Sequence, residues 1–277
     1  MRRRNALAFG LAILLLASSG HAVPNLIMLS IDDGVRDSAL DTAYTATVVE
    51  SGAVNPNGCR PPITWFSDGR SECDAVMEAY SLGHELATHT VNHPNNGESL
   101  SYEQWIEEVG GQRTWLAQCG VPEEEVQGFR APYYVTNAAL GSALEDLGFL
   151  YDSSLRAENE LAAPLNENFP YQEVPAEALP GSGGRRSDPM PADGKSILQR
   201  LQEDFEVKRG SGVPVAIKAH VPYLEDSSNR NDIIAFFRWA LGQEDTWAVT
   251  YSQYISWIQA GQGSMAEVLS NSTCILG

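Results

Sequence analysis

The stretch "NLIMLSIDDG", residues 25–34, decides the fold. Residues 25–31 form a mostly apolar run without strict alternation, which predicts a strand that is buried on both faces. Strands of this kind belong to parallel sheets that are covered by helices. The run ends in Asp32 and Asp33, so two carboxylates stand where the predicted strand stops.

Working outward from this strand, apolar runs rich in β-branched residues alternate with segments of helical periodicity. We predict strands at 25–31, 62–66, 84–88, 126–129, 148–152, 213–219 and 246–250, and helices at 37–50, 73–82, 101–118, 136–147, 195–208, 229–242 and 251–260. Such alternation predicts an α/β fold with parallel strands inside and helices outside. Seven repeats are enough for the sheet to curl into a barrel.

One segment interrupts this alternation. Residues 158–195 are rich in proline and glycine, and the segment is too long for a simple connection in a compact domain. We expect a rim loop that lines a substrate groove and contains one strand near "YQEVP", residues 171–175.

The amino terminus predicts export. Residues 1–22, "MRRRNALAFGLAILLLASSGHA", have the three parts of a secretory signal peptide, and the apolar run is too short to span a bilayer comfortably. The alternative is an uncleaved anchor. We expect residues 23–277 to form a single catalytic domain, a monomer without membrane attachment after cleavage. It would be secreted, or periplasmic in a Gram-negative bacterium.

The chain is strongly acidic. Its formal net charge is −18, and removal of Arg2, Arg3 and Arg4 with the signal peptide would leave −21. A surface of this charge repels phosphates, which argues against nucleic acid and anionic lipid as partners.

The chain has four cysteines, Cys59, Cys73, Cys119 and Cys274, and an even number in an exported chain predicts two disulfides with three possible connectivities. No two of them form a C-x2-C pair, which argues against a cysteine zinc site.

Polar side chains follow five predicted strands at the end where each strand stops. They are Asp32 and Asp33, His89 and His93, Arg130, Asp152, and His220. Because the carboxyl ends of parallel strands meet at one edge of the sheet, these groups should lie together where such folds bind ligands.

The pair His89 and His93 predicts a metal site. Four residues apart in "HTVNH", both imidazoles would face one point if this segment formed a helical turn. Two histidines and one carboxylate with open positions suit hydrolytic zinc, although iron, cobalt, nickel or copper would compete. His220 on the opposite side could then donate a proton to a leaving group.

At these residues the chain resembles the NodB-type polysaccharide deacetylases of carbohydrate esterase family 4, most closely their chitin-deacetylase-like branch. The motifs that carry the resemblance run in family order over residues 30–220, as "SIDDG", "HTVNH", "RAPYY", "DSS" and "KAH". The resemblance implies a NodB homology domain, that is, a distorted (β/α)7-type barrel.

The resemblance also implies a role for each matching residue. The implied metal ligands are Asp33, His89 and His93, the general base is Asp32, the residue that orients it is Arg130, and the general acid is His220 with Asp152 to tune it. Pro132, Tyr133 and Tyr134 of the third motif are expected to contact substrate, with a backbone N–H near Tyr133 at the oxyanion.

Lys218 departs from the family pattern, which often has an apolar residue at this position. On a strand it would share a face with His220. We expect Lys218 to border the substrate pocket, where it could extend out to solvent, narrow the pocket or lower the pKa of His220.

The sequence therefore predicts a secreted, metal-dependent enzyme that removes N-acetyl groups from N-acetylglucosamine polymers such as chitin. Two alternatives remain open. One is a carbohydrate-binding or matrix protein of the same fold with a weak site, and the other is an acetyl xylan esterase.

Overall fold

The computed structural model describes residues 22–155, 163–164, 171–175, 179, 188–274 and 276. The predicted signal peptide, apart from Ala22, and most of the predicted rim loop lie outside the described residues. Within the described ranges, no helix combines the length and the apolar character needed to cross a bilayer.

A curled, mostly parallel sheet forms the centre of the molecule. Its strands are β1 (Asn25–Asp32), β2 (Thr64–Ser67), β3 (Glu85–Thr88), β4 (Gly128–Phe129), β5 (Tyr151–Asp152), β6 (Ala163–Pro164), β7 (Gln172–Glu173), β8 (Val215–Ala219) and β9 (Thr246–Ala248). The order is β6-β7-β5-β4-β3-β2-β1-β8, with β9 paired to β1, and among the described pairs only β6 and β7 run antiparallel.

Helices pack on the outside of this sheet. They are α1 (Asp37–Leu40), α2 (Cys73–Ser81), α3 (Tyr102–Trp105), α4 (Gly111–Cys119), α5 (Ala138–Asp146), α6 (Ile197–Lys208), α7 (Val221–Glu225), α8 (Ser227–Ala240), α9 (Tyr251–Gln259) and α10 (Met265–Val268). The π-helical segments Asp41–Val49 and Ile106–Gly110 continue α1 and α3, respectively. The predicted α/β fold of the distorted (β/α)7 type is confirmed.

The predicted elements agree closely with the observed ones. All seven predicted strands are present, and the strand expected near "YQEVP" is β7. The sequence analysis missed two short helices, α7 and α10, and the short strand β6, which is a second strand in the predicted rim loop. The first of these begins directly after His220 with Pro222 in its first turn, a position where proline is well tolerated.

Strand β1 holds the sheet together because it pairs with three other strands. Residues 27–31 pair with β8 along one edge. The other edge is shared by β9, which pairs with residues 25–27, and β2, which pairs with residues 30–32.

The two faces of β1 have different partners. Ile27, Leu29 and Ile31 pack into the cluster between sheet and helices, whereas Leu26 and Met28 pack into the interior cluster. Burial of each such side chain stabilises the fold by roughly 1.5–3 kcal/mol. The same alternation turns Ser30 and Asp32 towards the interior, so the strand pattern itself directs one carboxylate into the barrel.

Two disulfides link distant parts of the chain. Cys59 bonds to Cys274 and Cys73 bonds to Cys119, which selects one of the three predicted connectivities. The first bond ties the carboxyl-terminal tail to the segment before β2, and the second joins α2 to the end of α4.

We predict that the double substitution Cys59→Ser/Cys274→Ser lowers the free energy of unfolding by about 2–4 kcal/mol, since it opens a link between residues 215 positions apart. Urea denaturation measures the loss. The matched variant Cys73→Ser/Cys119→Ser opens a link of only 46 positions and should lose less. Equal stability of the first variant and the unaltered protein would contradict this expectation.

Candidate metal and catalytic site

Polar side chains converge at the carboxyl ends of the parallel strands, as predicted. Asp32 ends β1, His89 follows β3, Arg130 follows β4 and His220 follows β8. The strand ends are held in register by the sheet, so the backbone positions of these groups are fixed by the fold.

Asp33, His89 and His93 form a cluster in which one ligand atom from each residue lies within 4.8 Å of the others. The Oδ1 atom of Asp33 lies 3.2 Å from Nε2 of His93. Two ligands of a tetrahedral zinc ion, each with a bond of about 2.0–2.2 Å, stand on the order of 3.3 Å apart. The donor set therefore fits a single divalent ion.

The hydrogen bonds of His89 also fit metal binding. Its Nδ1 lies 2.7 Å from the backbone oxygen of Arg130, so Nδ1 carries the proton and Nε2 keeps its lone pair. Metal-binding histidines commonly have this arrangement, because the second nitrogen fixes the orientation of the ring. Burial lowers the pKa of His89, which favours the neutral ring that a metal requires.

The loop from His89 to His93 is not the helical turn that was expected. Thr90 and His93 have φ angles of 71° and 52°, in the left-handed region, and so does Asp33 at 85°. The two imidazole rings still meet, with centroids 5.0 Å apart. The prediction of two histidines facing one point holds, but its reason was wrong: an irregular turn with left-handed residues brings them together.

Asp33 is held as a carboxylate. Its partial burial would raise the pKa, but the neighbouring His93 ring and the positive charge of Arg70 outweigh burial and hold the pKa well below its ordinary value. A metal ligand needs this ionised form at neutral pH.

Asp32 lies deeper and pairs with Arg130. Nη1 of Arg130 donates to Oδ1 of Asp32 at 2.6 Å, and both side chains are buried. Burial opposes ionisation of Asp32, but the charges of Arg130, His89 and His220 lower its pKa, so Asp32 is a carboxylate that can accept a proton. The predicted contact between these two residues is present.

The guanidinium of Arg130 is fully buried and surrounded by polar and aromatic partners. It donates to Ser30, to the hydroxyl and backbone oxygen of Ser153, and to the hydroxyl of Tyr251, over distances of 2.9–3.3 Å. Its Cζ atom lies 3.8 Å from the ring centroid of Phe66. These contacts fix the group that orients Asp32.

His220 pairs with Asp188, not with Asp152. Nδ1 of His220 lies 3.0 Å from Oδ1 of Asp188, which also accepts a hydrogen bond from the backbone N–H of His220. Burial would lower the pKa of His220, but Asp188, Asp32 and Asp33 raise it to about 9. A protonated His220 can donate a proton from its other nitrogen.

Asp152 belongs to a second carboxyl pair, which corrects its expected role beside His220. It accepts a hydrogen bond from the hydroxyl of Ser154 at 2.5 Å and interacts with Glu173. Burial raises the pKa of Asp152 to about 7, and burial together with the charge of Asp152 raises that of Glu173 to about 9. The pair therefore retains a proton at neutral pH.

The third motif places two tyrosines beside the cluster. Pro132 is buried and begins a short 3-10 turn in which Tyr133 and Tyr134 both have positive φ angles, 54° and 59°. Tyr133 is 56% exposed and its ring centroid lies 4.9 Å from that of His93. An exposed aromatic ring in this position can stack on a sugar face.

Lys218 points into the barrel on the same face of β8 as Ala216 and is only 3% exposed, with Nζ 4.9 Å from the ring centroid of Tyr134. The expectation that it extends out to solvent is therefore wrong. Nearby aspartates outweigh burial and raise the pKa of His220. A narrowed pocket and a lowering influence of Lys218 on the pKa of His220 remain predictions.

The sequence analysis missed two charged residues at this site. Asp188 lies in the proline- and glycine-rich segment, where nothing in the sequence distinguishes it from Asp193. Arg70, whose Nη2 lies 2.7 Å from Oδ1 of Asp33, follows β2 at the same edge of the sheet. The rule that polar groups gather after strand ends could have identified Arg70.

Comparison with known proteins supports the predicted resemblance. Residues 20–151 match the family model described as polysaccharide deacetylase. The predicted family resemblance is confirmed. Chitin deacetylase 1 of Bombyx mori is 24% identical over 280 residues, which cover 86% of this chain and 51% of the relative. The chain thus spans about half the length of this curated relative.

Solved structures agree on the fold. A family 4 carbohydrate esterase from Streptomyces lividans, with 18% identity, superposes with a TM-score of 0.52 over 82% of this chain and 93% of that one. The Puue allantoinase, with 14% identity, superposes with a TM-score of 0.62 over 93% and 100%. Because these names describe different reactions, the shared fold alone does not define the activity.

We predict that Glu173→Gln increases stability at alkaline pH. The folded protein keeps a proton on Glu173 up to a pKa of about 9, whereas the unfolded chain releases it near 4.5, so this residue makes stability fall as pH rises between these values. Glutamine removes that titration. Thermal unfolding should show a Tm advantage for the variant that grows by roughly 2–4 °C or more from pH 6 to pH 9.

The control is Glu267→Gln, which changes an exposed glutamate of α10. Its Tm should follow that of the unaltered protein at every pH. A Glu173→Gln curve parallel to the unaltered curve would contradict the buried, protonated state of Glu173.

Proposed function

We propose that this protein is an exported, metal-dependent deacetylase that hydrolyses N-acetyl groups of N-acetylglucosamine polymers such as chitin. The observation that carries this proposal is a cluster of three metal-ligand side chains next to an ionised carboxylate. The donor atoms of Asp33, His89 and His93 lie within 4.8 Å of one another, and the ionised Asp32 is the neighbour of Asp33 in the chain.

Asp33, His89 and His93 would hold the ion, with zinc the best match to two imidazoles and a carboxylate, and cobalt, nickel, copper or iron as alternatives. When bound, the ion supplies Lewis-acid activation of a water molecule and of the acetyl carbonyl group. The remaining steps belong to side chains of this protein.

Asp32 accepts the proton of the attacking water, and Arg130 holds its carboxylate in the orientation this requires. His220, oriented by Asp188, donates a proton to the nitrogen of the leaving sugar amine. The two groups play opposite roles because their environments drive their pKa values apart: Asp32 is held deprotonated, and the pKa of His220 is raised to about 9.

The substrate follows from the surroundings of this site and from the relative. Tyr133 presents an exposed ring beside His93, and a cleft lined by Tyr133, Tyr134, Asp152 and Glu173 extends from it. Such a surface suits a polymer of sugar rings. The similarity to Chitin deacetylase 1 of Bombyx mori favours N-acetylglucosamine units.

We predict that purified protein loaded with zinc releases acetate from chitin oligomers, and that the metal-free protein does not. Acetylated xylan is the matched comparison, because it carries acetyl esters in place of amides. Release from xylan alone would replace the proposal by an acetyl xylan esterase. Oligomer binding without acetate release from either polymer would replace it by a carbohydrate-binding protein.

We predict that Asp32→Asn keeps the bound metal and loses most turnover. The substitution removes the proton acceptor but leaves Asp33, His89 and His93 in place, and loss of a general base commonly lowers kcat by about 10²–10⁴-fold. Acetate release and elemental analysis measure the two properties. Turnover within a few fold of the unaltered protein would contradict the role of Asp32.

We predict that His93→Ala lowers metal content itself, because it removes one of three protein ligands. Elemental analysis after dialysis against a zinc buffer measures the metal bound per chain. His84→Ala is the control, since His84 is a buried histidine that lies outside the cluster. Normal zinc content in His93→Ala would contradict the ligand assignment.

A further inference from the structure

Arg70 contacts the carboxylate of Asp33 at the oxygen that faces His93. Nη2 of Arg70 lies 2.7 Å from Oδ1 of Asp33, and Nε2 of His93 lies 3.2 Å from the same atom. The carboxylate oxygen of Asp33 that lies nearest to His93 is therefore already paired with a cation that belongs to the protein.

Arg70 is anchored from behind by Asp68. Nε of Arg70 donates to Oδ2 of Asp68 at 2.8 Å, Nη2 contacts the same oxygen, and the backbone N–H of Arg70 donates to Oδ1 at 2.9 Å. Asp68 is fully buried, whereas the side chain of Arg70 is half exposed. One guanidinium thus links a buried carboxylate to a metal-ligand carboxylate.

The backbone around Arg70 is packed closely enough to hold this position. A Cβ atom on Gly34 would lie 3.0 Å from the backbone oxygen of Arg70, and one on Gly69 would lie 2.4 Å from the backbone oxygen of Val91. The loop that carries Arg70 is therefore wedged between the turn after β1 and the turn that carries His93. Larger residues at either glycine would push this loop away.

We propose that Arg70 is a tethered cation that competes with the metal for Asp33 and so lowers the metal affinity of the site. This inference rests on the proposed metal site at Asp33, His89 and His93. A divalent ion on Oδ1 must share that atom with the guanidinium or displace it. Two cations separated by a few ångströms repel each other, and the repulsion is stronger near a protein surface than in bulk water.

The test measures zinc affinity of metal-free protein by competition with a colorimetric chelator. Arg70→Gln should bind zinc at least about tenfold more tightly than the unaltered protein. The zinc-dependent rise in Tm should increase in parallel, because tighter binding to the folded state stabilises it more.

Two further variants separate the possible causes. Arg36→Gln removes the same charge from a neighbouring arginine that donates to the backbone oxygen of Arg70, and its affinity should stay within about twofold of the unaltered value. Asp68→Asn/Arg70→Gln removes both partners of the anchoring pair. This double variant should bind zinc as tightly as Arg70→Gln if the contact of Arg70 with Asp33 is what lowers the zinc affinity.

Three results would overturn the role of Arg70. These are an unchanged or weaker affinity in Arg70→Gln, an equal gain in Arg36→Gln, and a return to the unaltered affinity in the double variant, which would assign the gain to the unpaired charge of Asp68. Absence of zinc uptake by the unaltered protein would instead overturn the metal site, and this inference with it.

Discussion

The site depends on one buried cation, the guanidinium of Arg130. Burying a charge is costly unless it is paired and hydrogen-bonded, and Arg130 meets this requirement by gathering partners from several elements. Asp32 comes from β1, Ser153 follows β5, and Tyr251 begins α9. Asp32 can stay ionised inside the barrel because this cation is there, and the orientation of its carboxylate follows from the same contacts.

The sequence carried enough information for the fold and for most of the site. The apolar run at residues 25–31 predicts a strand because β1 is buried on both faces. The closeness of Asp32 and His220 follows from the parallel topology, which brings the carboxyl ends of the strands to one edge of the sheet. Asp188 could not be found, because its segment lacks periodicity and its contact with His220 spans 32 residues. The local geometry at His93 could not be found either, since left-handed backbone angles in non-glycine residues leave no simple signal.

Charge is arranged in layers around the proposed ion. Asp33 and the two histidines form the inner layer, and their partners form the next one: the backbone oxygen of Arg130 on His89, and the guanidinium of Arg70 on Asp33. The inner layer is encoded by short motifs. In the outer layer, Arg130 begins the motif "RAPYY", whereas Arg70 lies outside all of the motifs. The proposed role of Arg70 implies that chains with the same motifs differ in metal affinity through residues outside them.

The pairing of β1 with three strands has a consequence for folding during protein synthesis. Residues 27–31 pair with residues 215–219, and residues 25–27 pair with residues 246–248, so the earliest strand waits for almost the whole chain before its edges are covered. Contacts this distant are slow to form and leave open strand edges exposed to aggregation. Until residues 246–248 have been synthesised, the edge of β1 at residues 25–27 therefore stays unpaired.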